Sequence, residues 1–93
     1  MSDLFETKLG EAKGYISRGE PFWCEDFSRP KDQEFAEYLR KNGLDISYLY
    51  CMESWEGVYF PRNFNYQELQ EISRKRAELR EAGVSESDLP SSL

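Results

Sequence analysis

Between Asp45 and Met52 the residues alternate, Ile46, Tyr48, Tyr50 and Met52 falling on one face and Ser47, Leu49, Cys51 and Glu53 on the other. A period of two is that of a strand, and apolar groups on both faces demand cover on both, which reads as a central strand. Such a strand needs neighbours, and the sequence supplies two. Ser54-Trp55-Glu56-Gly57 reads as a hairpin loop with Gly57 free to take positive φ, after which Val58-Tyr59-Phe60 returns antiparallel until Pro61. Upstream, Pro21 to Phe27 is short, aromatic and bounded by turn residues, a third extended segment.

Helical stripes occupy most of the rest. Phe5, Leu9, Ala12 and Ile16 share one stripe between Ser2 and Arg18, with Asp3 as the cap and Gly19 and Pro21 as the stop. Ser28-Arg29-Pro30 opens a second helix that buries Phe35, Ala36 and Leu39, ends at Asn42-Gly43, and leaves Asp32, Glu34, Glu37 and Lys41 to water. Asn65 caps the last helix, Glu68 reaches back to the cap, Phe64 packs on Leu69, and Gly83 ends it after Ala82. At 93 residues the chain has room for one hydrophobic core. The reading is therefore a single α+β domain over residues 1–83, a small, mainly antiparallel three-stranded sheet packed with helices in the order α-β-α-β-β-α, followed by a Ser-rich tail at 84–93 expected to be mobile.

The absence of histidine removes the side chain that most readily exchanges protons near neutral pH, and with it Ser-His-Asp and Cys-His catalysis. Cys24 and Cys51 form no Cys-x-x-Cys pair, so neither zinc nor any other metal is implied, and both are expected as small apolar thiols. Glu25 beside Cys24 argues against a reactive thiolate there. The six glycines are scattered and build no phosphate loop, so no cofactor is expected. No apolar run approaches the roughly 18 residues of a membrane span, and Met1 to Glu6 lacks the features of a secretory signal; the expected location is the cytoplasm.

Charge is uneven along the chain. Residues 20–56 carry nine acids against four bases, whereas the net charge of the whole chain is −6. A negative segment interleaved with aromatic residues points to a protein that binds a basic partner, such as a nucleic-acid-binding protein, rather than nucleic acid itself. Glu25, Asp26, Glu34, Glu37, Glu53 and Glu56 are the candidate charge contacts, and Trp23, Trp55 and Tyr59 the candidate anchors. No catalytic residue is assigned, and the function expected is a small acidic inhibitor or modulator that occludes its partner sterically and electrostatically. In size, acidity and lack of catalytic groups the chain resembles in kind, without any alignable motif, the small inhibitors that phages direct against restriction and CRISPR systems, some of them DNA mimics. Two alternatives remain: a nucleic-acid-binding accessory protein using Tyr48, Tyr50 and the basic run Arg74-Lys75-Arg76, or a small carboxylate-dependent enzyme.

Arg76 and Arg80 pose a separate question, since at 100° per residue both fall within about 20° of Leu69 on the apolar stripe. Either their stems pack along the core edge with the heads in water, or they pair with carboxylates of the middle segment within the chain or across a homodimer. Self-association through this helix is the quaternary expectation.

Overall fold

A computed structural model of the chain describes residues 3–52 and 55–90. Its elements are α1 (Leu4–Ser17), β1 (Phe22–Cys24), α2 (Arg29–Lys41), β2 (Ile46–Cys51), β3 (Glu56–Pro61) and α3 (Tyr66–Glu81), followed by a 3-10 turn at Glu86–Asp88. The fold is α+β in the expected element order. The helix starts follow local chemistry: the Asp3 carboxylate accepts from the Glu6 amide, and Asn65 Oδ1 accepts from the amides of Gln67 and Glu68. Ser28 occupies the cap of α2 without a side-chain bond, and Pro30 sits in the first turn, where a missing N–H costs nothing. At the end of α3, Gly83 takes φ 89° and the Val84 amide closes on Leu79 O.

The three strands form one antiparallel sheet in the order β1-β3-β2. Cys24 and Tyr50 flank Gly57, Phe22 and Tyr48 flank Tyr59, and Leu49 and Trp23 flank Val58. The central strand is therefore β3, and β2 lies at an edge, which corrects the sequence reading. Apolar residues on both faces of a strand report layers above and below it, not strands on either side.

Alternation sorts the sheet into two faces. Phe22, Cys24, Ile46, Tyr48 and Tyr59 meet Ala12 of α1 and Phe35, Ala36 and Leu39 of α2 in one aromatic-rich core. Within it Phe35 and Tyr59 meet edge-on at 5.0 Å, and Phe5, Phe27 and Tyr38 extend the ring cluster. Val58 and Phe60 on the opposite face meet Leu69 of α3, with Trp23 and Phe64 packed alongside. Helices thus cover both faces.

Two residues expected in the hairpin loop belong instead to β3. Glu56 and Gly57 pair with Cys51 and Tyr50, and the positive φ of the connection falls on Trp55 at 58°. Glu53 and Ser54 lie outside the described residues, as do residues 91–93 of the expected tail. The described part of that tail lies against the body: Leu89 is buried and the Pro90 carbonyl accepts from Arg76 Nη1. Among the described residues no helix is long and apolar enough to cross a membrane.

Candidate functional site

On the face covered by α1 and α2, the polar centre is Asp32, which is 0% exposed. The expectation that it faces water is corrected. Asp32 sits in the first turn of α2 and points into the sheet, where the Tyr59 hydroxyl donates to Oδ1 and the Tyr48 hydroxyl faces the same carboxyl group. An added Cβ at Gly57 would stand 2.6 Å from this carboxyl, so glycine is required there by close approach and not by a turn. Burial raises the Asp32 pKa above its ordinary value, against the hydrogen bond from Tyr59, and burial likewise raises both tyrosines. Tyr59 is 0% exposed, so its expected role as a partner anchor is corrected: it is a core ring with its hydroxyl committed to α2.

The opposite face carries an ion cluster. Glu56, 1% exposed, takes Arg76 Nη2 at 3.1 Å and Arg80 Nη2 at 2.8 Å, and Arg80 Nη1 also reaches Glu25 at 3.3 Å. The Arg76 guanidinium lies over the Trp23 ring at 4.7 Å. The glutamate and the two arginines on the apolar stripe solve each other's burial, since a buried charge left without a partner is severely destabilising. Glu56 is thereby corrected from a partner contact to an internal anchor. Arg76 and Arg80 form the within-chain pairs that the sequence left open, so the self-association assigned to them is not what satisfies their charge. Beside the cluster lies a cavity of about 400 Å³ lined by Lys8, Trp23, Cys24, Asp26, Glu56 and Arg76. Lys8 Nζ holds Asp26 at 2.8 Å, which depresses the carboxylate and raises the lysine. Burial pushes the Cys24 thiol up to about 12, so it stays protonated at neutral pH and is no nucleophile.

The acidic segment does not present an array of free carboxylates. Glu25, Asp26 and Glu34 are bonded to Arg80, Lys8 and Lys31, and Glu20 and Asp45 to Arg18 and Arg62. Glu34 and Glu37 lie exposed on α2, while Glu25 and Asp26 follow β1.

A second open feature has a mixed lining with an apolar rim. Between β2 and α3 runs a groove of about 350 Å³ lined by Trp23, Leu49, Met52, Val58, Tyr66 and Arg74 among others. Its rim is solvent-facing: Met52 is 58% exposed, Tyr66 53% and Leu49 37%, and Trp55, 66% exposed, stands in the connection that follows Met52. On its floor the Cys51 thiol and the Ser73 hydroxyl hydrogen-bond. Trp23 and Trp55, both expected as anchors, are placed differently: Trp23 is half-buried in the groove wall and Trp55 stands out from the surface. The sequence reading missed Leu49, Met52, Tyr66 and Arg74 as surface candidates. The one available signal was the uncharged run Ile46 to Met52, which lacks the charge or proline that usually guards an exposed edge. Among the described residues, no group of three or more Cys, Asp or Glu is placed to hold a metal ion.

These features define a class: a small α+β protein with a three-stranded antiparallel sheet between two helices and one, closed by an aromatic core on the first side and by a buried ion cluster on the second. Comparison with protein-family models gives no match, and comparison with curated proteins gives none either. A solved structure does match. The crystal structure of protein PA2723 from Pseudomonas aeruginosa PAO1 superposes with a TM-score of 0.85 at 41% identity, covering 97% of this chain and 95% of that one. The chain belongs to the same family as PA2723.

Proposed function

We propose that this protein is a binding module that modulates a partner protein by occupying its surface, with no covalent step. The observation that carries the reading is the groove rim of Leu49, Met52 and Tyr66, three large exposed apolar side chains, with Trp55 exposed in the connection after Met52. Clusters of that kind, centred on an aromatic residue and next to a groove, supply most of the energy of protein contacts. The titratable groups support the same reading, because buried Glu56 is tied to Arg76 and Arg80 and Cys24 holds its proton. The steric part of the inhibitor expectation is retained. Its electrostatic part is weakened, since Glu25, Asp26, Glu34 and Glu56 are each bonded to a cation of the same chain, while Glu37 stays exposed on α2. The free thiols of Cys24 and Cys51 fit a reducing compartment such as the cytoplasm.

The test is capture from host extracts with three baits: the wild type, the double variant Met52→Ser with Trp55→Ser, and the charge reversal Glu34→Lys with Glu37→Lys. The reading expects a protein retained by the wild type and by the charge reversal, and weakened at least about tenfold on the apolar variant. A partner indifferent to Met52 and Trp55, or turnover of a small compound by the purified chain, overturns it.

A further inference from the structure

The rim borders a second open feature, the free edge of β2. Arg62 N donates to Asp45 O, and Ser47, Leu49 and Cys51 stand opposite Phe60, Val58 and Glu56. Antiparallel pairs alternate, so the odd-numbered residues of β2 direct their N–H and C=O groups to β3, and Ile46, Tyr48 and Tyr50 direct theirs outward. Ile46 O is taken by Arg40 Nε at 3.2 Å. The amides and carbonyls of Tyr48 and Tyr50 face away from the sheet.

Three arginines surround this edge, in a chain of net charge −6. The Arg29 guanidinium lies over the Tyr50 ring at 4.9 Å, Arg40 sits at Ile46, and Arg74 lines the groove on the other side. All three are exposed, and none is ion-paired with a described carboxylate. Positive charge is thus left free where an uncharged strand is left unpaired.

We propose that the edge of β2 receives an extended segment of a partner protein as a fourth strand, acidic at two positions four residues apart and apolar at the positions between them that face the groove. The inference rests on the binding-module reading above and names its ligand. Residues of the added strand opposite Ile46 and Tyr50 point to the α2 side, where their carboxylates meet Arg40 and Arg29. The spans agree: four residue steps along a strand cover about 14 Å, and the eleven steps along the helix from Arg29 to Arg40 about 16 Å. Residues opposite Ser47 and Leu49 point to the α3 side and extend the apolar rim, with Arg74 beside them. Main-chain bonds at Tyr48 and Tyr50 give the register, as in other strand additions. A second copy of the chain fits the edge worse, because an antiparallel β2 pair about a two-fold axis sets Arg29 against the other copy's Arg40. On the strand itself nucleic acid finds no free tyrosine to stack on, since Tyr48 packs on Tyr59 at 5.3 Å and Tyr50 carries Arg29.

The experiment is an array of eight-residue peptides alternating apolar residues with acidic, neutral or basic ones, probed with the whole protein and followed by anisotropy titrations. The expected result is selection of peptides with two acids four apart. Affinity should fall about tenfold with Arg29→Glu, and at least as far when the peptide is N-methylated at the amides that pair with β2. No selection, selection of basic peptides, or full affinity after N-methylation overturns the proposal, as does an RNA oligonucleotide that binds more tightly than any peptide or a β2-mediated homodimer seen by sedimentation. If a captured partner depends on Met52 and Trp55 yet ignores Arg29 and N-methylation, the binding module stands and the fourth strand falls. If nothing depends on Met52 and Trp55, both fall.

Discussion

The two faces of the sheet are built by different physics. On the α1 and α2 side, rings from five elements pack around a single buried carboxyl group. On the α3 side, three apolar residues form a small core, and the helix is fastened beside it by the bonds of Glu56 to Arg76 and Arg80. Beside that small core the groove lies open between Leu49 and Tyr66. One face is specialised for stability, and the other trades close packing for an accessible surface.

Truncation measures the contrast first. Phe35→Ala should cost about 4 kcal/mol in denaturant melts, whereas Leu69→Ala beside the groove should cost about 2 kcal/mol; equal losses would show the faces to be packed alike. Glu56→Ala strands Arg76 in a buried position and should cost about 3 kcal/mol, while Glu56→Leu combined with Arg76→Met should recover most of the loss. If the double substitution is as damaging as the single one, the ion cluster contributes more than mutual satisfaction. Gly57→Ala should cost about 2 kcal/mol through overlap with Asp32, and adding Asp32→Ala should return part of it. Independent effects of the two changes would remove the close-approach account of this glycine.

The closed face should also be sensitive to base. Cys24, Tyr48 and Tyr59 have raised pKa values when folded, chiefly from burial, so they bind protons more tightly in the native state. Their contribution is complete below the unfolded values and declines as pH rises. For Cys24 the decline runs from 9.0 to about 12, and Cys24→Ala should flatten that part of the stability profile. Asp32, also raised, acts in the same direction from 3.8 upward, so Asp32→Asn should flatten the acid side of the curve. Profiles unchanged by either substitution would contradict the burial of these groups. The smallest effect belongs to the exposed Lys31 and Glu34 pair, where Lys31→Ala should change stability by less than about 0.5 kcal/mol.

Local signals made the fold legible. The caps at Asp3 and Asn65, the stripes through Ala12 and Leu39, and the alternation through Tyr48 each lie within a few residues of what they determine. The errors arose where meaning depends on a distant partner. Asp32 looks solvated until Tyr59, 27 positions away, is placed above it. Glu56-Gly57 has the composition of a turn, and only Arg76 and Asp32 explain why a strand needs a glutamate followed by a glycine. The candidate site suffered more, because the acidic run was legible as charge but its intrachain partners were not. Leu49 and Met52 could be read as strand residues, but whether β2 lies at an edge is decided by β1 and β3 pairing elsewhere.

Amide hydrogen exchange tests the central proposal, an open β2 edge beside an accessible α3 face, most directly. In the free protein Ser47 and Leu49 should be protected while Tyr48 and Tyr50 exchange quickly, and saturation with the selected acidic peptide should slow Tyr48 and Tyr50 by at least about tenfold. Uniform protection along β2 in the free monomer, or Tyr48 and Tyr50 still exchanging quickly when the peptide is bound, would contradict it.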